Sequence, residues 1–569
     1  MAGAVEQKPS WRFPRAFWVA NTMELFERAA YYGCFIFLAV YLTQRVGFTD
    51  IETGYLTGAF AFLLYFTPTI TGTMADRIGF KASICLAFGL LAVGYTLLGA
   101  FPTKPMAVLS LALVLLGGAT VKPVISGTVA KCSDEVNRAR AFSIFYWVVN
   151  IGSFSGKSVV DPIRQAFDNP AVRGSGLQYI NFYSACMAAV ALVLALVVYR
   201  NVESSPAGRT VGDIIRGLVR VLRNWRFLVL ILLTGLFWSI QGQLYATMPK
   251  YLFRMVGEFT RPGWIANVNP LVVVLCVIPV THLVRKLMPV SSIQISFLII
   301  PLAALSVAVA PLLGPAPISL GFLDVHPIVL AMVVGIALQG LAECFLSPRY
   351  LEYASKQAPK GETGLYMGYS HLNSGFGWLF GFILSGILLD RWCPDPSSLP
   401  PGLSELEKGA YYAHAHYIWY VFTAVGVLGF VLLVVFQFVT RRIERAAFDV
   451  LLREPTRSHV VVQRGFSWPG LVYGPLWAAE TGWRLFVALV AGDGLLIGST
   501  LVIAASASGQ RTVAAVVWGS GAVAFLAWRL MVGLKANSWH RALAANCTVL
   551  EENVSRQRAD ELLAGTTPE

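Results

Sequence analysis

Charge is scarce in this chain. Asp, Glu, Lys and Arg make up 13% of its 569 residues, about half of what a soluble domain carries. With 56% hydrophobic residues and a mean hydropathy of +0.62, the chain cannot cover a water-facing surface, which excludes the ordinary soluble classes. The eight cysteines (Cys34, Cys85, Cys132, Cys186, Cys276, Cys344, Cys393 and Cys547) lie mostly in apolar segments. They show no CxxC spacing and no pairing with histidine, which excludes a disulfide framework and a metal site. No nucleophile stands beside a base and no glycine loop suits a phosphate, so an enzyme is not expected, nor a cofactor. Strict apolar and polar alternation is missing as well, which excludes a membrane β-barrel. What remains is a chain of helices in lipid, each needing roughly 20 apolar residues.

Apolar segments run near 15–44, 53–73, 80–101, 106–130, 139–160 and 179–200, and a second set near 227–254, 263–283, 290–313, 326–350, 362–390 and 413–440. The expected plan is therefore six spans in 1–200, a linker at 201–226 and six spans in 227–445. The region 446–569 is appended, with two further spans near 484–505 and 512–534. Alternate loops concentrate the basic residues: Arg12 and Arg15, Arg77 and Lys81, Lys131 and Arg138, Arg209 to Arg223, Arg285 and Lys286, Lys356 and Lys360, Arg441 to Arg445. The positive-inside rule then puts both ends of the twelve-span unit, and the tail after two more spans, in the cytoplasm of a multi-pass inner-membrane protein. The net charge of +13 is mostly topology, and nucleic acid is not an expected partner. The first span carries charge at its centre and does not read as a cleaved signal. In the linker, Val211, Ile214, Ile215, Leu218, Val219 and Leu222 recur at helical spacing, as in an amphipathic helix on the membrane surface.

Ionisable residues inside spans are costly and mark function. In span one Glu24, Glu27, Arg28, Tyr31 and Tyr32 fall on one helical face. Lys122 beside Pro123 in span four and Glu343 in span ten are lone charges expected to share a cavity with them. Protonating a carboxylate in such a cluster releases its salt bridge and can tie a proton to opening and closing. Lys157 and Asp161, four apart near the outer end of span five, read as a snorkelling pair, with an outer gate as the alternative. Asp493, inside the penultimate span, points to a contact with Arg484 or Arg529 or to a role not legible from sequence.

The segment Gly72-Thr-Met-Ala-Asp76-Arg77-Ile-Gly79 between spans two and three, with the six-plus-six plan, resembles the major facilitator superfamily, in which it would be a structural latch at a gate. Glu24-Leu-Phe-Glu27-Arg28-Ala-Ala-Tyr31-Tyr32-Gly33 is similar to the span-one motif of the proton-dependent oligopeptide transporter family. Further matches are Lys122-Pro123, Phe145-Tyr146 with Asn150 and Gly152, Phe237-Trp238 with Gln243, Asn269-Pro270, and Glu343 with Ser347-Pro348. The resemblance implies an all-α major facilitator fold, here with two extra C-terminal helices. It implies a proton-coupling network of Glu24, Glu27, Arg28, Lys122 and Glu343, with the proton as coupling ion. Tyr31, Tyr32, Phe35, Asn150, Gln241, Gln243 and Trp378 would face a peptide or small-molecule substrate, and Glu343 would hold its amino end. The Phe466-Ser-Trp-Pro and Gly474-Pro-Leu-Trp477 pattern resembles a small bacterial membrane domain of unknown function.

Two positions depart from the family. Phe35 stands where an arginine suited to a substrate carboxylate is usual, and Gly242 where span seven often carries an acid. The expected activity is proton-coupled symport of small peptides or a related amphiphilic solute by a monomeric transport unit. The alternatives are an exporter of a hydrophobic or modified metabolite, and a sensor or scaffold whose C-terminal region docks a protein partner.

Overall fold

A computed structural model of the chain describes residues 12–134, 137–200, 211–314, 316–319, 321, 324–358, 363–444, 448–453, 458–463 and 547–554, with a few single positions between 489 and 532. The chain divides into two units, Met1–Val434 and Val435–Glu569.

The first unit opens with α1 (Arg15–Tyr41), α2 (Asp50–Phe66), α3 (Pro68–Ile78), α4 (Phe80–Ala100), α5 (Lys104–Lys131), α6 (Arg138–Ala166) and α7 (Ser175–Val197). The linker helix α8 (Val211–Arg223) leads to α9 (Trp225–Gln241), α10 (Gln243–Ala246), α11 (Met248–Met255), α12 (Pro262–Ala266), α13 (Val268–Val284) and α14 (Pro289–Ala308). A two-stranded hairpin, β1 (Ile318–Ser319) and β2 (Asp324–Val325), precedes α15 (Pro327–Gln357), α16 (Thr363–Ser370), α17 (Leu372–Trp392), α18 (Glu405–Tyr412) and α19 (Tyr417–Glu444), the last of which runs on into the second unit.

Ten helical stretches among the described residues are long and apolar enough to cross a membrane. The remaining two of the twelve expected spans have a different build. The second is α2 followed by α3, interrupted where Pro68 cannot donate a backbone bond and starts a new helix instead. The fifth, α6, carries Lys157, Asp161 and Arg164 within its length. The C-terminal spans expected near 484–505 and 512–534, and the Phe466 to Trp477 pattern, lie outside the described residues. So do the side chains of Asp76, Val211, Ile214, Ile215 and Leu222, although α8 forms where a linker helix is expected.

Backbone approach through glycine decides how the helices around the centre pack. A Cβ on Gly156 of α6 would stand 2.4 Å from the Ala29 carbonyl oxygen of α1, and one on Gly54 of α2 would stand 2.5 Å from the Phe382 carbonyl of α17. Helix α2 is started by a reciprocal cap: Thr49 accepts from the Glu52 amide and Glu52 accepts from the Thr49 amide.

The second unit contains a sheet that the apolar periodicity does not predict. β3 (Phe448–Arg453) pairs antiparallel with β4 (Ser458–Gln463) on one side and with β5 (Cys547–Val554) on the other. In the same unit Asp493 accepts from the Trp528 indole N–H at 2.9 Å and lies 3.5 Å from Arg529, so of the two contacts considered for it the structure has the one with Arg529.

Candidate functional site

The charges of α1 meet as their spacing predicts. Arg28 Nε lies 3.2 Å from Glu24 Oε1, and Arg28 also bonds Glu27; all three side chains are buried. Glu24 Oε2 has no hydrogen-bond partner among the described residues, so one oxygen of a buried carboxylate is left open. Glu27, Arg28, Tyr31 and Lys122 line one small pocket together with Phe60 and Leu64. Lys122 makes no ion pair there among the described residues; its ammonium sits 4.6 Å from the centre of the Tyr65 ring.

Glu343, from α15 in the second half of the bundle, stands apart from that pocket. Its Oε2 is 3.5 Å from Gln241 Nε2, and its charge acts on Lys157 and on Tyr32. Tyr32 lies between the two groups of charges, with Arg28 Cζ 5.9 Å and Lys157 Nζ 5.6 Å from its ring centre.

The expected substrate residues separate into three kinds. Phe35 is stacked on Trp378 at 5.6 Å and on Tyr31 at 5.1 Å, with Tyr245 and Phe382 completing an aromatic cluster. Gly242 makes room for that cluster, since a Cβ there would stand 2.9 Å from Phe382 and 3.2 Å from Trp378. The two departures from the family pattern thus belong to one packing solution. Trp378 Nε1 and Gln241 Oε1 are buried and without a hydrogen-bond partner among the described residues, so they remain available to a ligand. Gln243 is committed elsewhere: its amide donates to Ser239 O and Gly381 O and accepts from Thr247, bracing α10 against α17. Asn150 turns its amide N–H to the Tyr146 carbonyl of its own helix.

Of the latch segment, Gly72 faces Pro123 of α5, with 3.3 Å available to a Cβ. Gly79 takes φ +88, where a side chain would be strained, and ends α3. Arg77 is exposed.

The pairing of Lys157 with Asp161 expected from their spacing is not formed. Asp161 Oδ2 instead accepts from the Trp264 amide at 3.2 Å, drawn to the free N–H groups at the start of α12. Lys157 is left buried at 2% exposure with no ion pair or hydrogen bond among the described residues. The i, i+4 spacing suggests the pair; the opposing helix overrides it.

At the end of the bundle remote from the linker, the two halves are bolted by charges at span ends. Asp50 receives Lys250 Nζ at 2.7 Å and Arg254 Nη1 at 2.8 Å. Arg254 continues to Asp395 at 3.3 Å, and Arg173 grips Asp395 with both guanidinium nitrogens at 2.8 and 3.0 Å. Arg164 donates to Glu258 and to the Thr260 carbonyl, and Asn267 to Ser158. Burial alone would raise the Asp395 pKa, but hydrogen bonds from Arg173 and Ser397 and the charge of Arg254 hold it well below the usual carboxylate range.

A model of the Major Facilitator Superfamily matches residues 23–323, more than half of the chain. The chain belongs to this superfamily. Among curated proteins, this major facilitator chain is 30% identical over 223 residues to dipeptide and tripeptide permease B of Xenorhabdus bovienii (strain SS-2004), covering 37% of the chain and 43% of the permease. It is 36% identical over 157 residues to dipeptide and tripeptide permease A of Proteus mirabilis (strain HI4320), covering 26% and 32%. The chain thus spans less than half the length of these relatives. Among solved structures, the POT family transporter PepTSo superposes with a TM-score of 0.59 at 19% identity, over 76% of this chain and 99% of that one. Tetrameric PepTSo2 gives 0.59 at 18%, over 75% and 99%. They share the major facilitator fold.

Proposed function

We propose that the chain is a proton-coupled secondary transporter of di- and tripeptides or closely related zwitterionic solutes, working by alternating access. The observation that carries this reading is the division of buried charge between the halves: Glu24, Glu27 and Arg28 on α1, and Glu343 on α15, with Tyr32 between them. Protonation of Glu24, whose second oxygen is unpartnered, weakens its hold on Arg28. The similarity to permeases named for dipeptides and tripeptides supports the substrate class. By the positive-inside rule the bolted end faces outside, both termini of the bundle face the cytoplasm, and the structure represents the outward-closed state. The transport unit is a single chain, and no cofactor is needed.

A second reading, export of a hydrophobic or modified metabolite, draws on the Phe35, Trp378 and Phe382 stack, which gives the cavity an aromatic wall where an arginine is usual. Proteoliposomes decide between them. An inward proton gradient should drive uptake of dipeptides, and Glu24→Gln should uncouple it. Gradient-driven uptake unchanged in Glu24→Gln would remove the coupling scheme, while uptake of an apolar metabolite with no peptide uptake would favour export.

A further inference from the structure

A buried ammonium without an ion-pair partner is among the least tolerable groups in a protein interior, and Lys157 forms no ion pair among the described residues. Candidate counter-ions among the described residues are accounted for. Asp161, one turn along α6, is held by the amide of Trp264. Glu24 and Glu27 are both engaged by Arg28. Glu343 acts on Lys157 through its charge but forms no ion pair with it, and one of its oxygens lies 3.5 Å from Gln241 Nε2. The ammonium lies 5.6 Å from the Tyr32 ring centre. Its helix packs closely on α12 at this level, where a Cβ on Gly263 would stand 2.4 Å from the Lys157 carbonyl oxygen.

The other cations around the centre differ from Lys157 in being engaged by carboxylates or, for Lys122, in being only half-buried. Arg28 is saturated by two carboxylates, and Lys122 rests on the Tyr65 ring in the pocket of Glu27 and Arg28. Phe35 supplies no charge and is locked in its stack with Trp378. We infer that Lys157 is the anion-binding residue of the central site, receiving the carboxylate of the transported solute beside the Tyr32 ring. The inference rests on the transporter reading above and deepens it: the ligand class is a small monocarboxylate with an apolar or aromatic body. A charge-assisted hydrogen bond between ammonium and carboxylate supplies the missing counter-ion and roughly doubles the strength of a neutral contact.

Purified full-length protein is tested by thermal shift against acids paired with their own amides: alanyl-alanine with alanyl-alanine amide, and phenylacetate with phenylacetamide. At least one acid should bind about tenfold more tightly than its amide. Lys157→Met should abolish that preference, and Lys157→Arg should retain it. Lys157→Met fills the same volume and removes an unpaired charge, so it should fold, with an unliganded melting temperature equal to or above the parent's. If no acid is preferred over its amide in the parent, or if the preference survives in Lys157→Met, the inference is overturned. A Lys157-dependent preference seen for phenylacetate but not for the dipeptide supports the inference and defeats the peptide reading instead.

Discussion

Lys250 and Asp50 meet across the seam between the two halves with 2.7 Å between ammonium and carboxylate, and the two side chains are only 3% and 2% exposed. Asp50 also holds Arg254, so one carboxylate neutralises two buried cations. Removing it leaves Lys250 uncompensated and Arg254 with Asp395 alone. Asp50→Asn is expected to cost about 3–5 kcal/mol, the usual penalty for breaking a buried pair from one side. The loss should appear as a lowered melting temperature and as faster labelling of a cysteine introduced near the seam. Asp50→Asn combined with Lys250→Met should recover part of it.

The bolt is expected to be indifferent to pH across the range in which a proton-driven transporter works. Asp395 is held below its ordinary value in the closed structure. A carboxyl depressed in this way contributes stability that is fully present above its unfolded value of about 4, and loses it only as pH falls through the lower folded value. Spin labels on α2 and α17 should therefore report the same closed distance from pH 8 to pH 5. Opening within that window would contradict the assignment.

Glycine contacts between α1 and α6 make a graded test of packing. Gly156→Ala drives a methyl to 2.4 Å from a carbonyl oxygen and should destabilise by about 1–3 kcal/mol. Gly89, inside α4, has nothing within 4 Å of where a Cβ would stand, so Gly89→Ala should be neutral or slightly stabilising through helix propensity. Melting temperatures of the two variants give the comparison directly.

An arginine at position 35 should not be tolerated. Phe35 is 3% exposed and enclosed by Tyr31, Tyr245, Trp378 and Phe382. Phe35→Arg buries a guanidinium with no carboxylate beside it and loses the stack, so a cost of about 3 kcal/mol or more is expected. Acid-over-amide selectivity should not rise in binding assays on whatever folded protein is recovered.

What can be read from sequence is what a single helix decides. Glu24, Glu27 and Arg28 are neighbours on one face whatever surrounds α1, and they meet as expected. The spans are legible for the same reason, because apolar length belongs to one segment. The bolt is not. Asp50, Arg173, Lys250, Arg254 and Asp395 come from four separate parts of the chain and sit at helix ends or in loops, where charge normally means solvent. The spacing of Lys157 to Asp161 misleads because it satisfies a local rule while a second helix, α12, supplies Asp161 with another partner. Gln243 has the look of a cavity amide in sequence, and only the fold reveals that Ser239, Gly381 and Thr247 consume it.

The antiparallel pairing of β5 with β3 carries a constraint of parity. Leu451 lies opposite Val549 and Arg453 opposite Cys547, so the chain just after α19 and the chain near its end share one aqueous compartment. Any crossings of the bilayer made between Gln463 and Cys547 must come in even number. A reporter fused after Glu569 then reads the same side of the membrane as one inserted between β3 and β4, and disagreement between the two reporters would mean that this sheet does not form in the cell.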